Sequence, residues 1–508
     1  MSILIRGATI IAMDKSHGSK PFQADVLIEN DRIKEIGTIK GDIHANTVIQ
    51  GRDRLIIPGL INSHIHTPEA FFKGRYDNMP LELWMTLAYL ILGTPALTER
   101  MIYLRSALCA MDAIKTGVTS FSDDILEFPL QTMGTLGAVF QAYEDVGIRA
   151  SVSGHVINRR LPDTIVYLNE LLPASLRREI EAQVPPTTNE YIEFSKEAFK
   201  RYHNRAGRLR FMVAPSGPQR CTVELMQAAD ELARRHGVPF HTHILETKVQ
   251  AVTGKELFGK TLVRFMHDNG LLNRHTTIAH GIWLTDEDIE LMGNAGCSVA
   301  HNTLSNMKLG SGICPVRRLL DAGVNLALGS DGLSTSDTPR MFSVMSAAGL
   351  LHKISSPDSY YWLTAEEVLH AATMGGAYSV CLEKEIGSIE VGKKADLVVI
   401  NTRTANFMPM NDLRNHLVYC EDGSSVETVI VNGEIMVKDG KLTRVDQDAL
   451  HDELRELMPA ILADHEVLEA KNRAFIPPLA EVWRRCAETE IGINRWGSDN
   501  QPRWPTNR

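Results

Sequence analysis

The sequence predicts an α/β fold: a (β/α)8 TIM barrel joined to a small β-sandwich domain that both ends of the chain form. The barrel is predicted because eight short apolar runs occur between residues 55 and 331, and amphipathic helical segments separate most of them. The β domain is predicted because β-branched segments with turn signals occur before residue 58 and again after residue 388. An open doubly wound sheet is the alternative that this alternation leaves.

The eight apolar runs are short enough to be buried strands of a parallel sheet. Segments such as Leu225–His236 and Asp286–Ala295 have the spacing of helices that cover such a sheet. The predicted barrel strands, in chain order, are Leu55–His66, Val118–Asp123, Ile148–His155, Leu209–Ser216, Pro239–Glu246, Thr276–His280, Cys297–Asn302 and Val324–Asp331.

These patterns divide the chain of 508 residues into three parts. Residues 1–58 and 388–446 are predicted to form the β-sandwich domain, residues 59–387 the barrel, and residues 447–508 a C-terminal helical tail. In the tail, helical patterns lie on either side of Pro477 and Pro478, which we expect to interrupt the helix.

Composition excludes several classes of protein. Hydrophobic residues make up 44% of the chain and charged residues 23%, as in ordinary globular proteins rather than disordered ones. The formal net charge of −9 predicts no nucleic-acid partner. The chain has no apolar stretch long enough for a membrane span, and its first residues do not have the pattern expected of a signal peptide. Seven scattered cysteines without a C-x-x-C pair indicate reduced thiols, so we expect a cytoplasmic protein.

Residues that bind metals close four of the predicted strands. In the first of these strands two histidines are two residues apart, so that both side chains lie on the same face of the strand. The carboxyl ends of barrel strands meet at one end of the barrel, and the set therefore predicts a metal site there. The closing residues are His64 and His66, His243, His280 and Asp331.

Six stretches resemble the amidohydrolase superfamily, in particular its branch of aminohydrolases and chlorohydrolases that act on nitrogen heterocycles. That branch contains triazine hydrolases and deaminases of cytosine, guanine and adenosine analogues. The resemblance extends from about residue 3 to residue 440. The stretches that carry it are Ile57–His66, His243 with Glu246, Thr277–His280, Ser305–Gly312, Gly329–Gly332 and Ile386–Leu397.

The resemblance implies a metal-dependent hydrolase that deaminates a nitrogen heterocycle and releases ammonia. Hydroxide, formed because the metal lowers the pKa of its water, would attack a C=N carbon. Asp331 would take a proton from that water, His280 would hydrogen-bond to it, and Glu246 would protonate a ring nitrogen and assist the leaving group. The resemblance also implies one divalent metal, zinc in most relatives and iron in some, with the ligands His64, His66, His243 and Asp331.

Two further hypotheses remain at this point. In the first hypothesis, the same catalytic residues and metal remove another leaving group, such as chloride or an alkylamine, or hydrolyse an amide or urea C–N bond. In the second hypothesis, the protein is a non-catalytic barrel used for binding or assembly. Such proteins usually lack one or more metal-binding residues, whereas this chain has all four predicted metal ligands. We expect a small-molecule substrate, no membrane partner and a homo-oligomer, because relatives are often dimers or larger.

Four residues are predicted to contact the substrate: Trp84, His155, Gln219 and Asn306. Trp84 ends a D-x-x-P-L-x-x-W stretch typical of the loop over the pocket, where it would stack on a planar ring, although a core position is equally consistent. Purine-type relatives usually have a histidine at the position of Ser216 and S-N-N where this chain has residues 335–337. These departures argue against adenosine-like or guanine-like substrates and favour a triazine, pyrimidine or pterin.

Overall fold

The structure is a computed structural model and describes residues 2–41, 43–93, 97–127 and 131–497. The described chain begins with strands that the sequence predicted from their β-branched residues. Asn30, whose backbone has a positive φ of 55°, makes the turn between the second and third of them. These strands are β1 (Ser2–Ile10), β2 (Phe22–Glu29), β3 (Arg32–Gly37), β4 (Thr47–Gln50) and β5 (Arg54–Pro58).

A curled parallel sheet follows, and it confirms the predicted α/β alternation. Its strands are β6 (Leu60–His66), β7 (Val118–Asp123), β8 (Arg149–Val156), β9 (Leu209–Pro215), β10 (Phe240–Ile244), β11 (Thr276–His280), β12 (Ser298–His301), β13 (Asn325–Leu328) and β14 (Asp331–Gly332). Neighbours along the chain pair in parallel from β6 to β13, and β14 pairs with the free side of β6. Because only Gly329 and Ser330 separate β13 from β14, one stretch of chain borders both edges of the sheet.

Helices cover this sheet, and threonines begin many of them. Thr187 is an example: its hydroxyl accepts the backbone N–H of Glu190, whose carboxylate accepts the N–H of Thr187 in return. The helices are α1 (Leu81–Ala88), α2 (Glu99–Lys115), α3 (Met133–Val146), α4 (Leu168–Leu171), α5 (Ala174–Glu181), α6 (Thr188–Tyr202), α7 (Val223–His236), α8 (Lys248–Phe258), α9 (Leu262–Asp268), α10 (Asp286–Ala295), α11 (Thr303–Lys308), α12 (Val316–Asp321), α13 (Met341–Ser355), α14 (Ala365–Ala371), α15 (Met374–Ser379), α16 (Leu413–Asn415), α17 (Gln447–Asn472) and α18 (Ile476–Glu488).

The two ends of the chain meet in a second, mixed sheet of nine strands. Its C-terminal members are β15 (Leu397–Asn401), β16 (Val426–Val431), β17 (Glu434–Lys438) and β18 (Lys441–Leu442). The strand order is β18-β17-β16-β15-β5-β1-β2-β3, with β4 beside β1. The antiparallel pairing of β5 with β15 joins the N-terminal strands to the C-terminal ones, as the sequence predicted for the two β-rich ends.

Three boundaries differ from the prediction. The run Leu55–His66 is not one strand: β5 belongs to the mixed sheet and β6 to the parallel sheet. The break falls at Gly59, where a Cβ atom would lie 1.9 Å from the Thr119 hydroxyl oxygen, so only glycine fits this crossing. The last run likewise divides into β13 and β14. In the tail, Pro477 and Pro478 do not interrupt a helix but begin α18, where no intrahelical N–H bond is lost.

The tail packs against the helix that carries Trp84. α18 contacts α1, α4 and α8, and α17 contacts α1 and α2. His465 Nε2 lies 2.8 Å from the Tyr76 hydroxyl, and Glu469 accepts a 2.9 Å hydrogen bond from Arg75. The tail therefore holds the loop before α1 in place. In the described ranges, no helix is long and apolar enough to span a membrane.

A buried ion pair joins the two sheets, and its loss should destabilise the fold. Arg149 on β8 donates two hydrogen bonds, of 2.6 and 2.9 Å, to Asp396 just before β15. Replacing Asp396 with alanine leaves the guanidinium buried without its partner, so we expect the free energy of unfolding to fall by about 3–5 kcal/mol. Urea denaturation followed by circular dichroism measures this. Arg455→Ala, which removes an exposed pair with Asp452, should change it by less than about 1 kcal/mol.

Candidate metal centre and active site

Four of the predicted ligands meet at the carboxyl end of the parallel sheet. His64 and His66 end β6, His243 lies near the end of β10, and Asp331 begins β14. The Nε2 atoms of His66 and His243 are 3.2 Å apart, and Asp331 Oδ1 is 3.1 Å from His64 Nε2 and 3.5 Å from His66 Nε2. All four side chains are buried.

The donor set fits a divalent metal ion. His64 Nε2 is buried without a hydrogen-bond partner, as expected of a nitrogen that binds a metal. Burial lowers the pKa of His64 and of His243, which keeps both imidazoles neutral, the form that binds metals. Although burial by itself opposes ionisation, the histidines around Asp331, His280 first, hold its pKa below the usual range. Three imidazoles and one carboxylate are a donor set that suits zinc.

Groups behind the ligands orient the imidazole rings. The Nδ1 atoms of His66 and His243 lie 2.6 and 3.2 Å from the backbone carbonyl oxygens of Asp124 and Ser216. His64 Nδ1 lies 2.8 Å from Nε2 of His241, which precedes His243 by two residues on the same face of β10. Each contact occupies Nδ1 and leaves Nε2 directed at the centre, as in metal sites whose outer contacts determine the ring orientation.

Asp124 connects several of these groups, and its substitution should weaken metal binding. Its carbonyl oxygen contacts His66, and its carboxylate lies 2.9 Å from His155 Nδ1 and 3.8 Å from His243 Nδ1. We expect Asp124→Asn to raise the zinc dissociation constant by about 10–100-fold, since it removes a charge that orients these rings. Competition with a chelating dye measures this constant. Asp268→Asn on the surface is the control, and equal constants for the two variants would contradict the assigned role.

Glu246 and His280 lie beside the ligands. His280 Nε2 is 3.6 Å from Glu246 Oε2 and 3.7 Å from Asp331 Oδ2. Burial, reinforced by the Asp331 charge, raises the pKa of Glu246 well above its usual value, which favours the protonated carboxyl. Burial lowers the pKa of His280 to about 4, so its imidazole is neutral. The site therefore contains an acid that can give a proton and a base that can accept one.

Backbone conformation also marks this end of the sheet. His280 and Asp331 have positive φ angles of 75° and 66°, and Leu245, just before Glu246, has 56°. Branched or bulky residues rarely adopt this left-handed region, which costs about 1–3 kcal/mol per residue and is concentrated at active sites. Strand ends strained in this way direct the three reactive side chains toward one point.

The pocket in front of the cluster contains some of the predicted substrate contacts but not all. Trp84 and His155 line it, and the Trp84 indole donates a 3.2 Å hydrogen bond to the Ser334 hydroxyl. Asn306 is not in the lining: its Oδ1 lies 2.9 Å from His280 Nδ1, so it orients that ring. Gln219 is also outside the lining and buried behind it. The pocket is small, with a volume of about 40 Å³, and Trp84 forms part of its wall.

Sequence reasoning missed two charged residues of the pocket lining, Glu69 and Arg220. Glu69 accepts hydrogen bonds from the Tyr89 hydroxyl (2.7 Å) and the Ser334 hydroxyl (2.8 Å), and burial raises its pKa to about 7. Its position three residues after His66 was the available signal. Arg220 follows β9 in the stretch that departs from the purine-type pattern.

Together, these features define a metal-dependent hydrolase: convergent histidines and an aspartate at the end of a parallel sheet, with a buried carboxyl of raised pKa beside them. A family model described as "Amidohydrolase family" matches residues 55–436. The chain belongs to this family, as its motifs indicated. It acts on carbon–nitrogen bonds other than peptide bonds, which excludes the non-catalytic barrel.

Curated relatives are similar over most of the chain. A 5′-deoxyadenosine deaminase of Methanosarcina barkeri is 33% identical over 457 residues, which cover 89% of this chain and 97% of the relative. A 5-methylthioadenosine/S-adenosylhomocysteine deaminase of Caldanaerobacter subterraneus is 32% identical, with coverages of 90% and 98%. Both relatives are deaminases by name, in agreement with the predicted hydrolytic deamination of a nitrogen heterocycle.

Solved structures share the fold. A zinc-bound adenosine deaminase from Xanthomonas campestris superposes with a TM-score of 0.79 at 24% identity, covering 91% of this chain and 98% of its own. A triazine hydrolase from Arthrobacter aurescens superposes with a TM-score of 0.80, also at 24% identity, with coverages of 90% and 99%. At this identity the likeness concerns the fold alone.

Proposed function

We propose that this protein removes the exocyclic amino group from the adenine ring of a nucleoside. The observation that carries the reaction type is the buried Glu246, whose pKa is raised, beside His280 and Asp331 at the metal cluster. The ring is inferred from the names of the relatives, which are similar along nearly nine-tenths of the chain. The names of these relatives favour adenosine-like substrates, the class that Ser216 and residues 335–337 argued against. The similarity to the relatives extends along most of the chain, whereas the departures concern four positions, so the similarity has more weight.

The chain's own residues divide the proton transfers of this reaction. A divalent metal held by the four ligands would lower the pKa of a water molecule in the site. Glu246 gives its carboxyl proton to the ring nitrogen next to the amino-bearing carbon, which makes that carbon more electrophilic. The Asp331 carboxylate accepts a proton from the attacking water. The departing amino group then takes up the proton held by Asp331 and leaves as ammonia, while the added hydroxyl returns a proton to Glu246 as the C=O bond forms.

His280 completes this arrangement through its tautomer. Its Nδ1 lies 2.9 Å from Asn306 Oδ1, which can only accept, so Nδ1 carries the hydrogen. Nε2 then carries the lone pair; it lies 3.6 Å from Glu246 and 3.7 Å from Asp331, with the Asn302 amide nitrogen 3.5 Å away. We infer that Nε2 accepts a hydrogen bond from the attacking water and orients it toward the ring.

Ammonia release tests the proposal. Zinc-loaded protein should release ammonia from adenosine, 5′-deoxyadenosine or 5′-methylthioadenosine and convert the adenine ring to hypoxanthine, detected by ultraviolet absorbance. Aminated triazines, pterins and cytosine serve as comparison substrates, and Asp331→Ala as the inactive control. Release from a triazine, pterin or cytosine alone would contradict the adenine assignment and restore the substrate class that Ser216 suggested.

We propose in addition the finer organisation that the sequence predicted. Residues 1–58 and 388–446 would form a β-sandwich domain, 59–387 a complete barrel, and 447–508 a tail. Zinc is proposed rather than iron because of the donor set, and a cytoplasmic location because all seven cysteines, each within the described part of the chain, are free. A homo-oligomer is proposed as well. Elemental analysis and light scattering test the metal and the oligomer; iron, or a monomer mass, would contradict them.

A further inference from the structure

Arg220 is a cation in the pocket without a matching anion. It follows β9, and its side chain lines the cavity together with Glu246 and Trp84. Its guanidinium donates a 3.2 Å hydrogen bond to the Ser216 hydroxyl and lies 3.5 Å from the Met85 sulfur. A thioether is a weak acceptor. Within the described ranges, no carboxylate oxygen lies within ion-pairing distance of Arg220.

The acidic groups around Arg220 are engaged elsewhere. The Glu82 carboxylate accepts a 2.6 Å hydrogen bond from the Thr247 hydroxyl, and Glu246 faces His280. Burial raises the pKa of Glu82 and of Glu246, so both favour the neutral form. A buried guanidinium is costly without a paired charge. Arg149, which is buried, has its bidentate partner within the fold. The half-buried Arg220 has no such partner among the described residues.

Ser216 explains why an arginine fits at this place. It occupies the position where purine-type relatives usually have a histidine, and a serine side chain is much smaller. Its carbonyl oxygen orients the ligand His243, while its hydroxyl accepts the hydrogen bond from Arg220. The smaller residue thus leaves room beside the metal ligands for a guanidinium that projects into the pocket.

We propose that Arg220 binds an anionic oxygen group, a carboxylate or a phosphate, on the part of the substrate that does not react. The preferred substrate is then an acidic derivative of the aminated ring; for the adenine nucleoside of the proposed function, on which this inference rests, the anion is at the 5′ carbon. A guanidinium offers several donors in one plane and matches either group with two parallel hydrogen bonds. The substrate would bring the negative charge that the fold does not provide.

Binding to a catalytically impaired protein tests this directly. The probes for zinc-loaded Glu246→Gln are adenosine 5′-carboxylate, adenosine 5′-monophosphate and neutral 5′-deoxyadenosine, titrated by calorimetry. We expect at least one acidic probe to bind about 10–100-fold more tightly than the neutral one, as charged hydrogen bonds allow. The carboxylate and phosphate probes distinguish the two sources of the anion. Adding Arg220→Gln should abolish the advantage, and Arg220→Lys should retain part of it.

Arg159 is the matched control, because it donates to the Gln219 carbonyl oxygen nearby but does not line the pocket. Arg159→Gln should keep the preference for the acidic probe. Equal affinities for all three probes, no binding of any, or a preference that survives Arg220→Gln would each overturn the inference. Deamination of 5′-deoxyadenosine without a charge preference overturns the inference alone. A charge preference without ammonia release by the wild-type protein overturns the proposed function alone.

Discussion

Replacing Glu246 with glutamine is expected to lower kcat/KM for ammonia release by about 10²–10⁴-fold without changing the zinc content. Glutamine preserves the size of the side chain but has no acidic proton to give to the ring nitrogen. Steady-state kinetics with an ammonia-coupled assay measure the effect. Glu82→Gln is a matched control, since Glu82 is also a buried carboxyl with a raised pKa but contacts Thr247 instead of His280. Undiminished turnover by the Glu246 variant would contradict its role as an acid.

The pH profile provides an independent check on the same residue. Because the pKa of Glu246 is raised, its acid form persists to higher pH than that of an ordinary carboxyl, and kcat/KM should fall as pH rises through that pKa. On the acidic side, kcat/KM should fall as pH drops through about 4, where His280 becomes protonated and loses its lone pair. In the glutamine variant, the residual activity should lack the alkaline fall. An alkaline fall that persists in this variant would have to come from another group.

Replacing His243 with alanine should remove the metal and, with it, about 10³-fold or more of the activity. The estimate follows because a bound metal contributes several kcal/mol to such a transition state, and each 1.36 kcal/mol is about tenfold in rate. Elemental analysis should find about one zinc per wild-type chain and much less in the variant. Circular dichroism should show that the variant remains folded.

His301 provides the control for this substitution. It also ends a strand of the parallel sheet and is buried, but its Nε2 lies 3.1 Å from His352 rather than at the cluster. His301→Gln should therefore retain its zinc and most of its activity. Zinc loss equal to that of His243→Ala would mean that the assignment of ligands by position at the cluster is wrong.

The metal cluster could be predicted because strand geometry has so few variables. Residues two apart on a strand share a face, which places His64 and His66 together. The carboxyl ends of parallel strands meet at one edge, which brings His243, His280 and Asp331 to the same point. Apolar runs identified the strands well enough for both rules to apply. The two-ended mixed sheet followed from the β-branched segments for a similar reason.

The contacts around the metal cluster that residues between the strands make could not be predicted in this way. Asp124 acts through both its carbonyl oxygen and its carboxylate, and only a folded loop places both against histidines from other strands. Asn306 is predicted to contact substrate, and only the fold shows that its Oδ1 lies 2.9 Å from His280 Nδ1. The role of Arg220 depends on Met85, which lies on α1, and on Ser216, which directly follows β9. A sequence pattern contains no information on the distances between side chains that come from segments far apart in the chain.

The sequence by itself determined the α/β alternation, the family and the residues that can bind a metal, because each depends on local periodicity or on a short motif. Tertiary structure alone decided where the chain crosses between sheets at Gly59, which neighbours hold each imidazole, and which charges lack a partner. The physical reason is that burial and pairing are properties of surroundings built from distant segments. In the sequence Arg220 is an ordinary cation; only the fold shows that it lines the pocket beside the metal ligands, with no ion-pair partner among the described residues.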